Sequence, residues 1–158
     1  MESPTLWYWL LPLIFTLLAA AYFFWRVGRH ASAKVKQAQT LFEQHRPELQ
    51  SAFFQAAAIS GKPRGLRWKE CQWEPLIEWM RDKKTEQLIA LVGVTISFEA
   101  IEGGDMEGLA AVGNLRNATA VFFHQDGHWL TAGRVIFNLN PNEAVTHFGA
   151  DYEHVIVS

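Results

Sequence analysis

The sequence predicts an α+β protein in which helical segments come first and hairpins of an antiparallel sheet follow. Residues 31–59 carry apolar side chains at helical spacing, and residues 86–99 place them at every second position. A tight turn at 125–127 joins two more strand-like runs. Helices that precede hairpins fold as a helix packed on an antiparallel sheet. We expect a curved sheet around a helix, as in the cystatin-like or NTF2-like architectures.

The chain begins with a stretch long enough to be a transmembrane helix. Residues 6–25 contain no charged side chain, and as a helix they would span about 30 Å, the thickness of a bilayer's hydrocarbon core. A cleaved signal peptide is the alternative, but signal peptides begin with positive charge. Residues 1–5 contain Glu2 and no Lys or Arg. The sequence therefore predicts an uncleaved anchor, and residues 1–5 as a short extracytoplasmic N-terminus.

Positive charge directly after this stretch predicts which way the protein faces. The basic residues are Arg26, Arg29, Lys34 and Lys36. Lys and Arg beside a span stay in the cytoplasm. We therefore expect a single-pass protein of the inner (plasma) membrane whose C-terminal domain is cytoplasmic. The single Cys71 agrees with a reducing compartment.

Residues 26–59 are predicted to be a basic juxtamembrane and amphipathic helical segment. Its apolar positions repeat every seven residues, which permits a coiled-coil homodimer. However, Pro47 interrupts the repeat and His45 lies within it, so two helices, or one kinked helix, are expected instead. Phe53 and Phe54 indicate that the second helix packs on a core.

Residues 60–158 are predicted to form an antiparallel-sheet domain. Its strands are placed at 66–73, 75–82, 86–99, 118–124, 128–139 and 154–157. A short helix is expected at 141–149, because Asn140, Pro141 and Glu143 form the sequence of a capping box with proline first.

Charge is unevenly divided along the chain. Residues 37–98 carry eight Lys or Arg and seven Asp or Glu, a net of +1, whereas residues 99–158 carry two and eight, a net of -6. Nucleic acid needs a positive surface. A nucleic-acid partner is therefore not expected.

The densest group of carboxylates follows the alternating strand. It consists of Glu99, Glu102, Asp105 and Glu107, with glycines between them. Such a group can chelate Mg²⁺ or Ca²⁺ or act as a catalytic acid–base pair. Its spacing does not match the calcium-binding EF-hand loop, and a solvated loop is the simpler interpretation.

Two histidines flank the turn at 125–127 and are the candidate metal ligands. A two-residue turn places His124 and His128 on opposite faces of the hairpin, and a three-residue turn pairs them on one face. On opposite faces they cannot share an ion, and even the paired register supplies only two ligands, whereas zinc needs three or four. Surface histidines at a hairpin tip are the alternative. No cofactor is expected.

A second candidate site is a basic run near the start of the sheet domain. It comprises Lys62, Arg64, Arg67, Trp68 and Lys69. Four cations with an aromatic residue would suit an anionic ligand or anionic lipid headgroups. A solvated basic turn is the alternative.

Three stretches resemble a family of uncharacterised small bacterial proteins with one membrane span and a cytoplasmic α+β domain. They are 61–68 (GKPRGLRW), 98–107 (FEAIEGGDME) and 137–141 (FNLNP). No activity is attached to that resemblance, so it implies topology and fold class alone.

Three functions fit these observations. The first is a membrane-anchored binding or interaction domain at the cytoplasmic face, favoured because no nucleophile elbow or phosphate loop occurs. The second is an accessory subunit that contacts membrane protein partners through Ala19, Ala20 and Ala21. The third is a small enzyme in which the 99–107 carboxylates act with His124 or His128, and it requires these groups to share one site.

Overall fold

The computed structural model describes residues 5–60 and 65–156, without the side chains of residues 5–13 and 23–31. It divides into two compact units between Gln39 and Thr40. Helix α1 (Thr5–Gln44) begins in the first unit and ends in the second. Much of the predicted membrane segment, 6–25, lies outside the residues whose side chains are described. Within the described part, no helix combines the length and the apolar character that crossing a membrane requires.

The predicted break between two helices is confirmed. Helix α1 ends at Gln44, and α2 (Arg46–Ser60) begins one residue after His45. Pro47 has no amide hydrogen to donate to the carbonyl four residues earlier, and its ring crowds that carbonyl, so one straight helix is disfavoured. Leu49, Phe53 and Ala57 are the buried residues of α2. The seven-residue repeat, whose last apolar position is Ile59, predicted the buried positions only in part, because Leu49 is buried whereas Ile59 is exposed.

One sheet of six strands follows the helices. Its strands are β1 (Leu66–Asp82), β2 (Leu88–Ala100), β3 (Arg116–Gln125), β4 (His128–Leu130), β5 (Val135–Phe137) and β6 (Tyr152–His154). The order is β4-β3-β2-β1-β6, with β5 paired to the same edge of β3 as β4. All described pairings are antiparallel, so the predicted α+β class with a curved antiparallel sheet is confirmed.

Strand β1 differs from the expected pair of strands at 66–73 and 75–82. It is one strand of 17 residues whose register shifts between Trp73 and Ile77. Pro75 lies inside this shift and cannot donate to the ladder. A strand tolerates proline at a bulge, so the pairing resumes beyond it.

The single strand expected at 128–139 is divided into β4 and β5. Between them Gly133 has a φ of +70°, and a Cβ there would lie 2.7 Å from Cα of Ala57 in α2. The chain leaves the sheet so that its backbone can approach the helix, which only glycine permits.

The last two elements are close to their expected places. Helix α3 (Pro141–His147) has the predicted capping box between Asn140 and Glu143, and it ends two residues earlier than expected. Strand β6 ends at His154, whereas the expected strand began there. Its Tyr152 pairs with Asp82 of β1.

Aromatic rings fill the sheet face that α2 covers, hereafter the inner face. Phe53 is 0% exposed, and its ring lies 5.3 Å from that of Trp73 and 5.7 Å from that of Phe122. Phe42 contacts Trp79 and Trp129 at ring distances of 5.5 and 5.0 Å. The inner face is therefore a packed core.

Candidate ligand cavity

The opposite face of the sheet, hereafter the outer face, is divided into an apolar and a polar half. On β2 the apolar half presents Ile89 and Leu91, and the polar half presents Thr95, Ser97 and Glu99. Side chains alternate between faces along a strand, so these residues all point away from α2. Helix α3 lies against the apolar half, where Ala144 packs with Met80 and Leu91.

Hydrogen bonds hold α3 and the turn after it in place. Asn140 accepts from the amide of Glu143 at 2.9 Å, and the carboxylate of Glu143 accepts from the amide of Asn140 at 2.8 Å. Nζ of Lys83 donates to the carbonyls of Gly149 and Ala150 at 2.8 and 2.9 Å. The segment is thus fixed at both ends beside the sheet.

A cavity of about 260 Å³ lies between this segment and the sheet. Seven of the nine residues that line it are apolar or aromatic, namely Met80, Ile89, Leu91, Val121, Ile136, Phe148 and Tyr152, and the other two are Arg134 and Asp151. Ring packing of Phe148 on Tyr152, 6.4 Å between centroids, forms one wall. Apolar cavities with a few polar groups are the usual form of small-molecule sites.

The two charged residues of the cavity differ in their partners. A carboxylate oxygen of Asp151 lies 3.8 Å from Nζ of Lys84. Arg134 has no ion pair among the described residues, although its carbonyl accepts from the amide of Val121 at 3.1 Å. Of the two charged residues that line the cavity, Arg134 is therefore the one without an ion pair in the described part of the chain.

Sequence reasoning did not identify this cavity. The available signal was that Ile89 and Leu91 are apolar although they occupy the second face of an alternating strand. A half-apolar second face needs a cover. Nothing in the sequence indicates that α3 covers it incompletely.

The carboxylate loop 99–107 is a solvent-exposed turn. Glu99 pairs across strands with Arg67, 2.7 Å from oxygen to nitrogen, and Glu107 accepts from the amide of Gly103 at 2.7 Å. Gly103 has a positive φ of +75°, which glycine adopts without steric cost, while Glu102 and Asp105 are exposed. Two of the four candidate catalytic carboxylates are thus engaged within the loop and its neighbouring strand.

The histidines are far from that loop. Phe123 pairs with Ile89, so His124 lies level with Leu88, eleven residues along β2 from Glu99. At ~3.3 Å per residue this separation is on the order of 30 Å. The loop and the histidines therefore cannot share a site, which removes the acid–base or metal-assisted arrangement that combines them.

The hairpin adopts the two-residue turn. Gln125 pairs with His128 and His124 with Trp129, which places the two imidazoles on opposite faces. The pKa of His124 is lowered, first by burial and second by the charge of His128. No group of three or more His, Cys, Asp or Glu in the described part of the chain is arranged to hold a metal ion.

The basic run is divided by the fold. Lys62 and Arg64 lie outside the described residues, Arg67 pairs with Glu99, and Lys69 is exposed. Trp68 is buried on the inner face, with its ring 5.3 Å from that of Phe98. Its indole is therefore part of the core.

The remaining candidate residues are the four basic residues after the predicted anchor, and Cys71. Lys34 and Lys36 are exposed on α1, and the side chains of Arg26 and Arg29 lie outside the described part. Burial, and secondarily the charge of Glu70, raises the pKa of the Cys71 thiol to about 12. Cys71 therefore stays a thiol at neutral pH and is a poor nucleophile.

Comparison of this chain with protein-family models, curated proteins and solved structures gives no match. The family resemblance and the cystatin-like or NTF2-like arrangement accordingly stay predictions.

Proposed function

We propose that this protein is a membrane-anchored domain that binds a ligand at the cytoplasmic face of the inner membrane. The observation that carries the proposal is the cavity between α3 and the outer face of the sheet. Helix α3 and the turn after it leave a cavity of about 260 Å³ against the outer face, lined by residues of several strands together with Arg134 and Asp151. An apolar cavity beside charged groups is the expected form of a binding site.

Exposed apolar residues in α1 support the membrane anchor. Residues 14–22 are exposed without interruption, and Ile14, Phe15, Leu17, Leu18 and Tyr22 expose between 51% and 74% of their surface. A helix that is apolar all round is covered by protein or by lipid. The uncharged sequence of 6–25 makes lipid the proposed cover.

The proposed orientation rests on the basic residues after the anchor. Lys34 and Lys36 are exposed and no acidic residue precedes Glu43 on that side. Positive charge so close to a span keeps its side in the cytoplasm. The sheet domain would then face the cytoplasm.

Thiol labelling in intact cells tests anchor and orientation together. Asp126→Cys places a reporter at the exposed tip of the β3–β4 hairpin, and the high pKa of Cys71 keeps the native background low. We expect the protein in carbonate-washed membranes, labelled by an impermeant maleimide only after the cells are permeabilised. Release by carbonate contradicts the anchor, and labelling in intact cells contradicts the orientation.

A neutral apolar probe tests the cavity. In methyl NMR of the full chain in nanodiscs, 3-phenylpropanol should shift the methyl signals of Met80 and Ile136. Methyls of Val94 and Ile96, which are 0% exposed on the inner face, are the matched controls and should stay in place. Unchanged Met80 and Ile136 signals at probe saturation would contradict the binding role.

One observation favours a second role as an accessory subunit. Ala19, Ala20 and Ala21 are exposed in α1, and small residues let membrane helices approach closely. Purification in mild detergent should then recover stoichiometric membrane partners, which Ala20→Leu would displace and Leu17→Ala would retain. A protein that purifies alone in both forms contradicts this role.

A further inference from the structure

We propose that the cavity on the outer face binds a small carboxylic acid with an apolar body, whose carboxylate pairs with Arg134. This inference rests on the proposed binding function and adds the chemical class of the ligand. Three properties of the cavity carry it: its volume, the chemistry of its lining and the charge at its edge.

The volume fits a small molecule with one ring or a short branched chain. A cavity of ~150 Å³ in an apolar core holds benzene, and this one measures about 260 Å³. The additional space accommodates a short side chain that connects a ring with a polar group. Volumes of 300–1,000 Å³ are typical for larger ligands of drug size, so the ligand is expected to be small.

The lining favours an apolar body. Met80, Ile89 and Leu91 come from neighbouring positions on β1 and β2, and Phe148 closes the opposite side. None of these side chains offers a strong hydrogen bond. A polar group of a ligand placed against these side chains would lose its hydrogen bonds to water without replacement.

The edge of the cavity favours a negative charge on the ligand. Arg134 is exposed and has no ion pair among the described residues, while Asp151 is paired with Lys84. Lys83 adds a further cation next to the turn after α3. Arginine binds carboxylates through two parallel hydrogen bonds, and such charge-assisted bonds are stronger than neutral ones.

The position of Arg134 is fixed by the backbone. Its carbonyl accepts from Val121, a cavity residue, and the adjacent Gly133 packs against α2. This bond continues the β5–β3 ladder by one residue, so Arg134 lies opposite Val121 on the outer face, beside the cavity.

Three probes of similar shape and different charge test the ligand class. Full-length protein in nanodiscs is titrated with 3-phenylpropionate, 3-phenylpropanol and 3-phenylpropylamine, and the methyl signals of Met80, Val121 and Ile136 are followed. We expect the acid to bind about tenfold more tightly than the amine, as one charge-assisted hydrogen bond provides. The alcohol should lie between them.

Two arginine variants make the test specific. Arg134→Gln should remove the preference for the acid and leave binding of the alcohol unchanged. Arg116→Gln is the matched control, because Arg116 is exposed at the start of β3, five residues from Val121 along the strand. This variant should keep the preference.

The possible results separate this inference from the proposed function. Binding of the alcohol without any preference for the acid overturns the carboxylate inference and keeps the binding role. An acid preference that survives in Arg134→Gln also overturns the inference. Tighter binding of the amine, lost in Asp151→Asn, shows a cationic ligand and overturns it as well. If no probe shifts the cavity methyls, both proposals fail.

Discussion

The two faces of one sheet differ in how completely they are covered. On the inner face, Phe42 and Phe53 interlock with rings from β1, β3 and β4. On the outer face, a helix of seven residues covers only the apolar half and leaves a cavity. A strand alternates its side chains with equal regularity on both faces, so the difference comes from the covering helices. The inner face carries the buried aromatic packing, and the outer face carries the cavity proposed as the ligand site.

The largest expected effect comes from removing a ring on the inner face. Phe53→Ala should lower the free energy of unfolding by about 3–5 kcal/mol, because a fully buried ring leaves a cavity in a packed core. The matched variant on the outer face, Phe148→Ala, should cost about 1–2 kcal/mol, since Phe148 is half-buried beside space that is already empty. Urea unfolding of the full chain in nanodiscs, followed by tryptophan fluorescence, measures both. Equal losses would contradict the comparison.

A smaller effect is expected where α2 approaches the interrupted edge of the sheet. Gly133→Ala should cost about 2–3 kcal/mol, because the new Cβ meets the backbone of Ala57 and φ is +70°. Gly127→Ala also has a positive φ, +83°, but nothing within 4 Å of the new Cβ, and should cost about 1 kcal/mol. The difference between the two unfolding free energies isolates the contact with α2. Identical values would show that only backbone strain matters.

The smallest effect concerns a histidine at the end of the inner face. Burial and His128 disfavour the charged form of His124 in the folded protein, so the unfolded chain takes up this proton at higher pH. The resulting stability is present at neutral pH and is lost as the pH falls through the pKa of the unfolded histidine. We expect a small decrease in melting temperature over that range.

An imidazole NMR titration measures this directly. The pKa of His124 should lie below the ordinary value for histidine, and His128→Gln should raise it only in part, because burial is the larger cause. A His124 pKa at or above the ordinary value for histidine would contradict the burial of its imidazole at the end of the β3–β4 hairpin.

Local patterns were sufficient for most elements of the fold. Alternation identified β2, Pro47 identified the break between α1 and α2, and the capping box identified the start of α3. These signals succeed because they depend on residues within about one turn or one strand of each other. The strand ends were less accurate, since the pairing partners of β1 and β6 are distant in sequence.

The candidate sites were predicted less well for the same reason. The dense runs of charge at 62–69 and 99–107 were the candidate sites in the sequence, but Arg67 of the first run forms an ion pair with Glu99 of the second. The cavity draws its lining from five separate strands and from the turn after α3. None of its residues forms a local motif.

The sequence by itself determined the fold class and those helices and strands that depend on residues close together in the chain. The patterns that determined them were alternation, capping, and the positions of proline and glycine. Only the tertiary structure decided which turn joins β3 and β4, and how far His124 and His128 lie from the carboxylate loop. It alone also decided that α3 fills the outer face incompletely. Those outcomes depend on the volume between elements and on strand register, which the packing of distant residues sets and no local pattern encodes.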